Sequence, residues 1–393
     1  MGKRILTRGP IKICTSCQSP NTQSCMILGV ERGGQQKHRP RNHSSLRDHL
    51  PQVRQHIRQG QRDGRYLVVH VGLLDHWQDV YISPIGVVGK GVTDIRLIDD
   101  YSFPEGESVN GFADRSNRPL IYYNPPGDIA RRIDMLRHNN PHARILMMLG
   151  DVAGAFRHVP IHAEHTHVCL HLWRLFGHQY GLRFRVVGSP AYYHLAGTLI
   201  NGLNEQTRVG HGDHIQSTQC AHWSELGASG GDAPSTTPVS GTLTGLFWCD
   251  DHTCVELDEG TRCCQANVAL RRTIPTVLWP SAINERKFTQ WGEQGKSLGQ
   301  LWDTCNGTVT VPAEKIAKAH QRVQALLVSD RATKTRLLQV VGSLRHVASC
   351  CPPARAFFRR IQSTASSARR YGRFTLSRAV LEDLKRFRYV LRH

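Results

Sequence analysis

The chain has 393 residues, enough for two or three compact units with ample core. Its formal charge of +19 calls for an anionic partner, and the Lys and Arg are spread along the whole length instead of forming one amphipathic basic helix, which favours nucleic acid over a membrane surface. No apolar run reaches transmembrane length, the start Met1-Gly2-Lys3-Arg4-Ile5-Leu6-Thr7 lacks the apolar core of a signal peptide, and Leu6 breaks the myristoylation pattern; a soluble, intracellular protein of cytoplasm or nucleus is expected. Twelve Cys in a chain this long do not make a small-domain disulfide framework, so reduced thiols are expected.

Residues 1–60 are polar, basic and poor in large apolar side chains, which predicts a loose arm. Cys14-x-x-Cys17 with Cys25 and His38 fits no metal knuckle by spacing, and zinc is not assigned to it. From Arg65 short β-like runs begin: Tyr66-Leu67-Val68-Val69, Ser83 to Lys90 and Asp94 to Asp99, punctuated by Gly and Pro. The last two predict an antiparallel ribbon carrying Lys90 and Arg96, cations that on a cleft wall could hold phosphates.

Arg144 to Asp151 is an apolar run ending in an acid, which suits a buried strand with Asp151 at its carboxyl end. Val152 to Phe156 then turns into a helix or a second short strand. Ser189-Pro190 opens a helix whose apolar positions, Tyr192, Leu195, Ala196, Leu199, Ile200 and Leu203, are expected to pack on the sheet that bears the acids. Residues 205–242, rich in Gly, Ser, Thr and His, predict a mobile surface loop.

Leu243 to Cys249 is mostly apolar or β-prone, and His252 to Leu257 alternates polar with apolar, so the segment predicts strand, tight acidic turn and strand. Asp250 and Asp251 then sit at the tip of a hairpin. Like charges this close repel, and a bound cation such as Mg²⁺ would offset the cost. On the dipeptide alone a plain chain reversal explains the pair better, since Asp suits turns through its own backbone hydrogen bonding. A short helix is expected near 261–272. The last ninety residues carry helical stripes: Ile316, Val323 and Leu327; Leu337, Val341, Leu344 and Ala348; Val380, Leu384, Phe387 and Leu391.

Three segments resemble reverse transcriptases, in the order that family has them. Asp151-Val152-Ala153-Gly154-Ala155-Phe156 resembles the first catalytic motif, Gly188-Ser189-Pro190-Ala191-Tyr192-Tyr193 the second, and Phe247-Trp248-Cys249-Asp250-Asp251 the aromatic-x-Asp-Asp box. The stretches around Lys90 and from Arg96 to Asn110 resemble the fingers motifs, and Asn284 to Phe288 and Ser297 to Gly299 resemble the segments that follow the palm hairpin. Gly342 to Phe357 resembles the thumb of DIRS-like, tyrosine-recombinase retrotransposons, and the resemblance covers about residues 60–390. It implies an α+β fold shaped as a polymerase right hand: an arm over 1–60, fingers over 61–150, a βαββ palm over 151–300 with the loop 205–242, and a helical thumb or connection over 301–393.

The resemblance implies an RNA-directed DNA polymerase with an RNA template, a DNA primer and deoxynucleoside triphosphates as partners, and no membrane. Asp151, Asp250 and Asp251 would hold two Mg²⁺ ions, with Mn²⁺ as a substitute, about 3.5–4 Å apart. Lys90 and Arg96 would clamp the triphosphate, Phe156 would exclude a 2′-hydroxyl, Lys287 would protonate the leaving pyrophosphate, and Gly188, Ser189 and Pro190 would shape the nucleotide floor. Trp248 stands where the family more often has Tyr, and Phe184-Arg185-Val186-Val187 replaces its Phe-Gly-Trp-x, with Arg185 expected to crowd the nucleotide pocket. Family members continue into a ribonuclease H domain; that activity and recombinase activity are not assigned here. The alternative is a catalytically inactive relic that only binds nucleic acid.

Overall fold

The structure, a computed structural model, describes residue 36 and residues 40–63, 68–69, 72, 76, 80–90, 94–105, 108–113, 118–158, 170–171, 180–182, 189–207 and 242–392. In chain order the elements are α1 (Leu50–Arg62), β1 (Val68–Val69), β2 (Ile85–Lys90), β3 (Asp94–Asp99), α2 (Val109–Phe112), α3 (Pro126–Asn139), β4 (Ile145–Asp151), β5 (Leu170–His171), β6 (Tyr180–Leu182) and α4 (Ser189–Gln206). They continue with β7 (Gly245–Trp248), β8 (Asp251–Leu257), α5 (Arg262–Val277), β9 (Gln294–Ser297), β10 (Gln300–Asp303), β11 (Thr308–Thr310), α6 (Ala313–Ser329), β12 (Arg331–Ala332), α7 (Lys334–Cys350), α8 (Phe358–Ser367), β13 (Phe374–Thr375) and α9 (Arg378–Val390). Among the described residues every strand pairing is antiparallel. Among the described residues no helix is long and apolar enough to cross a membrane.

The chain forms two compact units interleaved in sequence, one of residues 1–123, 152–200 and 273–283, the other of 124–151, 201–272 and 284–393. In the first, the expected ribbon is the β2–β3 hairpin, with Val88 opposite Arg96 and Lys90 opposite Asp94. Part of the stretch expected to be a loose arm is instead ordered. Leu46 and Val53 bury against Ile85, Val87 and Leu97, with Leu50, Ile57 and Ile95 packed around them. Four apolar residues at helical spacing in an otherwise polar segment are enough to dock α1 on the ribbon, a pattern that composition averaged over 60 residues conceals. Of the stretch 205–242 expected to be a mobile loop, residues 205–206 continue α4; residues 208–241, like residues 1–35, lie outside the described residues.

The second unit is built on the sheet β4-β8-β7. Seven pairs run from Ile145 opposite Leu257 to Asp151 opposite Asp251, and β7 pairs from Gly245 opposite Cys254 to Trp248 opposite Asp251. With α4 between β4 and β7, these strands make the expected βαββ order. Ile145, Met147, Val255 and Leu257 share a core with Ile129, Ile133 and Leu136 of α3 and with Trp302 of β10. A second core joins α6 to α9, where Val323, Leu337, Val341, Leu344, Ala348, Val380, Leu384, Phe387 and Leu391 are all buried, with Ile316 and Leu327 packed on them, as their spacing predicts.

Two expectations fail. On α4, Ile200 of the expected stripe is buried, but Leu195, Leu199 and Leu203 are 39%, 56% and 38% exposed, while Tyr193 and Asn204, outside that stripe, are buried. The helix is apolar on more than one face, so periodicity could not choose between them. Cys264 is disulfide-bonded; which thiols a fold brings within reach is set by Cα separation, which sequence spacing does not report.

The far end of β8 is held by a buried charge clasp. Glu256, fully buried, accepts from Arg132 of α3 at 3.1 Å and from Arg262 of α5 at 2.7 Å through Oε2, and from the Thr244 amide at 2.8 Å through Oε1. Arg132 also donates to the Val255 carbonyl, and Arg262 to that of Thr242. Removing the one anion would leave two guanidiniums buried without a counter-charge. Glu256→Gln is therefore expected to lower unfolding free energy by about 3–5 kcal/mol, read as an earlier urea midpoint; an unmoved midpoint would show the clasp to be idle.

Candidate active site

β4 delivers Asp151 because the run Ile145-Leu146-Met147-Met148-Leu149 buries on both faces and continues through Gly150. That glycine is required by space. A β-carbon there would lie 2.7 Å from Leu270 Cδ2 and 2.8 Å from Phe288 Cζ, so the strand passes directly beneath both side chains. β8 delivers Asp251 as its first residue, opposite Asp151, and Asp250 occupies the two-residue turn with Cys249. Cys249 has φ of 57°, a sparsely populated conformation for a non-glycine residue. Positive φ at the first turn position only is the pattern of a type II′ hairpin, which matches the twist of the strands. The acidic pair thus straddles the turn and the strand, and three carboxylates meet at one end of the sheet.

A further segment supplies their counter-charge. Residues 284–292 run alongside β4, with Thr289 bonded through its amide to the Leu149 carbonyl and Gly292 exchanging both backbone bonds with Met147. The Asn284 amide donates to the Asp151 carbonyl, and the amides of Lys287 and Phe288 both donate to the Asn284 carbonyl. This turn aims Lys287 back at the sheet. Its Nζ donates to Asp151 Oδ2 at 2.6 Å, and the Asn284 side-chain amide donates to Oδ1. Arg271 of α5 steadies the segment, paired with Glu285 and lying 4.2 Å over the Phe288 ring.

The electrostatics follow from this crowding. Burial, then the charges of Asp250 and Asp151, push the Asp251 carboxyl up from its ordinary value to about 6, against the pull of Lys287. Burial pulls the Lys287 ammonium down, but its bond to Asp151 and the surrounding carboxylates more than offset this and raise its pKa. His252 lies on the opposite face of β8 from Asp251, buried and stacked on Phe247 with centroids 5.9 Å apart. Burial pulls its pKa to about 4, only partly opposed by Asp250, so a neutral imidazole underlies the acids.

An all-carboxylate donor set suits a hard divalent cation. Among the described residues, however, no group of three or more His, Cys, Asp or Glu is arranged to hold a metal ion.

The structure therefore brings Asp151, Asp250, Asp251 and Lys287 together within one unit. The other expected residues belong to the first unit. Phe156 lies in a 3-10 turn, half-buried, its ring edge-on to Tyr193 at 5.7 Å. Ser189 is buried and Pro190 exposed at the start of α4, where the Pro190 carbonyl accepts from the Tyr123 hydroxyl at 3.1 Å. Arg96 is exposed on β3. Gly188, Arg185 to Val187 and the side chain of Lys90 lie outside the described residues. Asn284 received no role from the sequence, although it stands three residues before Lys287 in the same short segment; only the fold shows that it holds the other oxygen of Asp151.

Lys287→Met is expected to destabilise the protein by about 1–2 kcal/mol, less than a fully buried pair would lose because the ammonium is half exposed. Lys287→Arg should recover part of that in a thermal scan. Equal midpoints for Lys287→Met and the parent would mean that Asp151 does not need the cation.

The sequence matches no known family of proteins and no curated protein. Solved structures are nonetheless similar over nearly the whole chain. A foamy viral protease-reverse transcriptase dRH in complex with double-stranded DNA is similar with a TM-score of 0.56 at 12% identity, over 96% of this chain and 52% of that one. The foamy viral protease-reverse transcriptase with an RNA/DNA hybrid gives 0.52 at 12% identity over 93% and 39%, and with double-stranded DNA 0.50 at 12% identity over 94% and 62%. The chain thus spans between about two fifths and three fifths of those proteins. Identity this low speaks to architecture alone, and what it shows is that the chain has a reverse-transcriptase-like fold.

Proposed function

We propose that the chain is an RNA-directed DNA polymerase of a retroelement, of the DIRS-like group, extending a DNA primer on an RNA template with deoxynucleoside triphosphates. The observation that carries this reading is the meeting of Asp151, Asp250 and Asp251 at one end of an antiparallel sheet within a reverse-transcriptase-like fold. Three carboxylates face a single ammonium there. The formal charge of +19 and the nucleic acids held by the solved relatives agree with a nucleic-acid partner.

Asp151, Asp250 and Asp251 would hold Mg²⁺, or Mn²⁺ in its place, once Lys287 releases Asp151. Divalent ions in such a site supply charge stabilisation to the attacking and leaving oxygens of an in-line phosphoryl displacement. Lys287, with its pKa raised, keeps a proton on Nζ at neutral pH and can pass it to the leaving pyrophosphate. Asn284 orients Asp151 throughout. Lys90 and Arg96 bind the triphosphate as charge-assisted donors, Phe156 bars a 2′-hydroxyl by bulk, and Gly188, Ser189 and Pro190 line the nucleotide floor. These last roles rest on the motif resemblance.

Asp250→Asn is expected to abolish primer extension while leaving affinity for a primer–template nearly intact, since the dispersed phosphate contacts remain. Millimolar Mg²⁺ should raise the thermal midpoint of the parent and not of Asp250→Asn. Extension by the variant at a rate close to the parent's would remove these acids from the chemistry. Phe156→Ala should admit ribonucleotides in a matched competition; unchanged discrimination would make the ring a packing residue against Tyr193 only.

A second reading, a relic that binds nucleic acid without extending it, is favoured by one observation: Lys287 occupies Asp151 where a cation would bind. A parent protein that binds primer–template but neither responds to Mg²⁺ nor extends would establish it.

A further inference from the structure

Residues 331–381 contain eleven Lys and Arg and no Asp or Glu. Within them, the turn Arg369-Arg370-Tyr371-Gly372-Arg373 joins α8 to β13 and stands clear of the bundle, all five residues exposed. Tyr371 is 80% exposed, the most exposed large apolar side chain among the described residues. The segments on both sides of the turn are anchored. On one side Ile361 and Ala365 anchor α8 in the core, and on the other Leu376 is buried and its amide donates to the Asp330 carbonyl at 2.8 Å. β13 pairs with β12, setting Thr375 opposite Arg331, and Gly372 with φ of 91° takes a backbone conformation that other residues rarely adopt. The Arg370 guanidinium lies 5.6 Å over the Tyr371 ring, which covers one face and leaves the other for a ligand.

We propose that this turn is a binding site for single-stranded nucleic acid, in which a base stacks on the open face of Tyr371 while Arg369, Arg373 and the exposed Arg331 and Arg378 hold the flanking phosphates. The inference rests on the nucleic-acid reading above and adds to it a place and a strand state. Bases in a duplex are already stacked and hide their faces, so an exposed ring contributes little there; a single strand offers every base to it, whatever the sequence. Guanidiniums beside the ring match phosphate oxygens in geometry as well as charge. An anionic membrane would also meet the charge, but one aromatic residue among arginines offers too little apolar surface to insert.

Equilibrium binding of the full chain to a labelled oligothymidylate, to a duplex and to anionic phosphatidylserine vesicles tests the proposal. Tyr371→Ala should weaken single-strand binding by about five- to a hundredfold and leave duplex binding unchanged. Tyr371→Trp should preserve it, and the pair Arg369→Gln with Arg373→Gln should reduce the slope of log affinity against log salt by about 0.7 for each phosphate that is no longer neutralised. Because the side chain is exposed, the variants should melt with the parent, which separates loss of the site from loss of the fold. Unchanged single-strand affinity in Tyr371→Ala, an equal loss on the duplex, or a loss confined to the vesicles would each overturn the site. If the parent extends primers and Tyr371→Ala binds single strands as the parent does, the site alone falls; a parent that binds neither oligonucleotide takes the nucleic-acid reading down with it.

Discussion

The register between β4 and β8 sets Asp151 opposite Asp251, with Asp250 one residue away in the turn. Like charges directly across a ladder destabilise it, and burial sharpens the repulsion, as the Asp251 carboxyl raised to about 6 records. The remainder of the sheet is arranged so that this register cannot slip. A shift of one residue would carry Gly150 out from under Leu270 and Phe288 and bring a side chain into that space. Lys287 reaches Asp151 only because the 284–292 segment is hydrogen-bonded along β4. The cation and the acid it neutralises are thus positioned by the same strand.

β8 carries a second charge cluster at its other end, and the two differ in sign balance. Around Glu256 one carboxylate lies between two guanidiniums, both held in further hydrogen bonds to backbone carbonyls, and solvent is excluded. That cluster is closed and structural. At the turn, three carboxylates share one ammonium that is itself half exposed. A partly buried group of anions with too little counter-charge is a place where an added cation gains more than it would elsewhere on the surface.

Much of this was legible in advance where one periodicity dominates. The β4 run, the hairpin around Asp250 and the stripes of α6, α7 and α9 each have a single apolar pattern with one place to bury, so their elements and buried residues agree with expectation. Legibility failed where a segment offered two faces or none. Leu195, Leu199 and Leu203 look like part of a core stripe with Ile200, yet they are exposed, and the helix buries Tyr193 and Asn204 beside Ile200. The few apolar residues of α1 were lost in a basic, polar average. Asn284 and Glu256 could not be placed because their partners, Asp151 in one case and Arg132 in the other, lie more than a hundred residues away in the chain. Asp151, Asp250 and Asp251 were named from motif order, and the register sets Asp151 opposite Asp251.

A chain can keep this architecture at 12% identity because the architecture asks little of any one residue. Cores accept wide exchange among apolar side chains of suitable volume when the pattern is kept. Only a few positions in the second unit are constrained by more than pattern: Gly150 by space, Glu256 by two buried guanidiniums, and Asp151 by its two donors. Of these, the first two serve the fold. Asp151 is different, since a buried carboxylate beside two others lowers stability, and packing alone would be better served by an apolar residue there. The fold thus supports the acids at a stability cost that packing alone does not require.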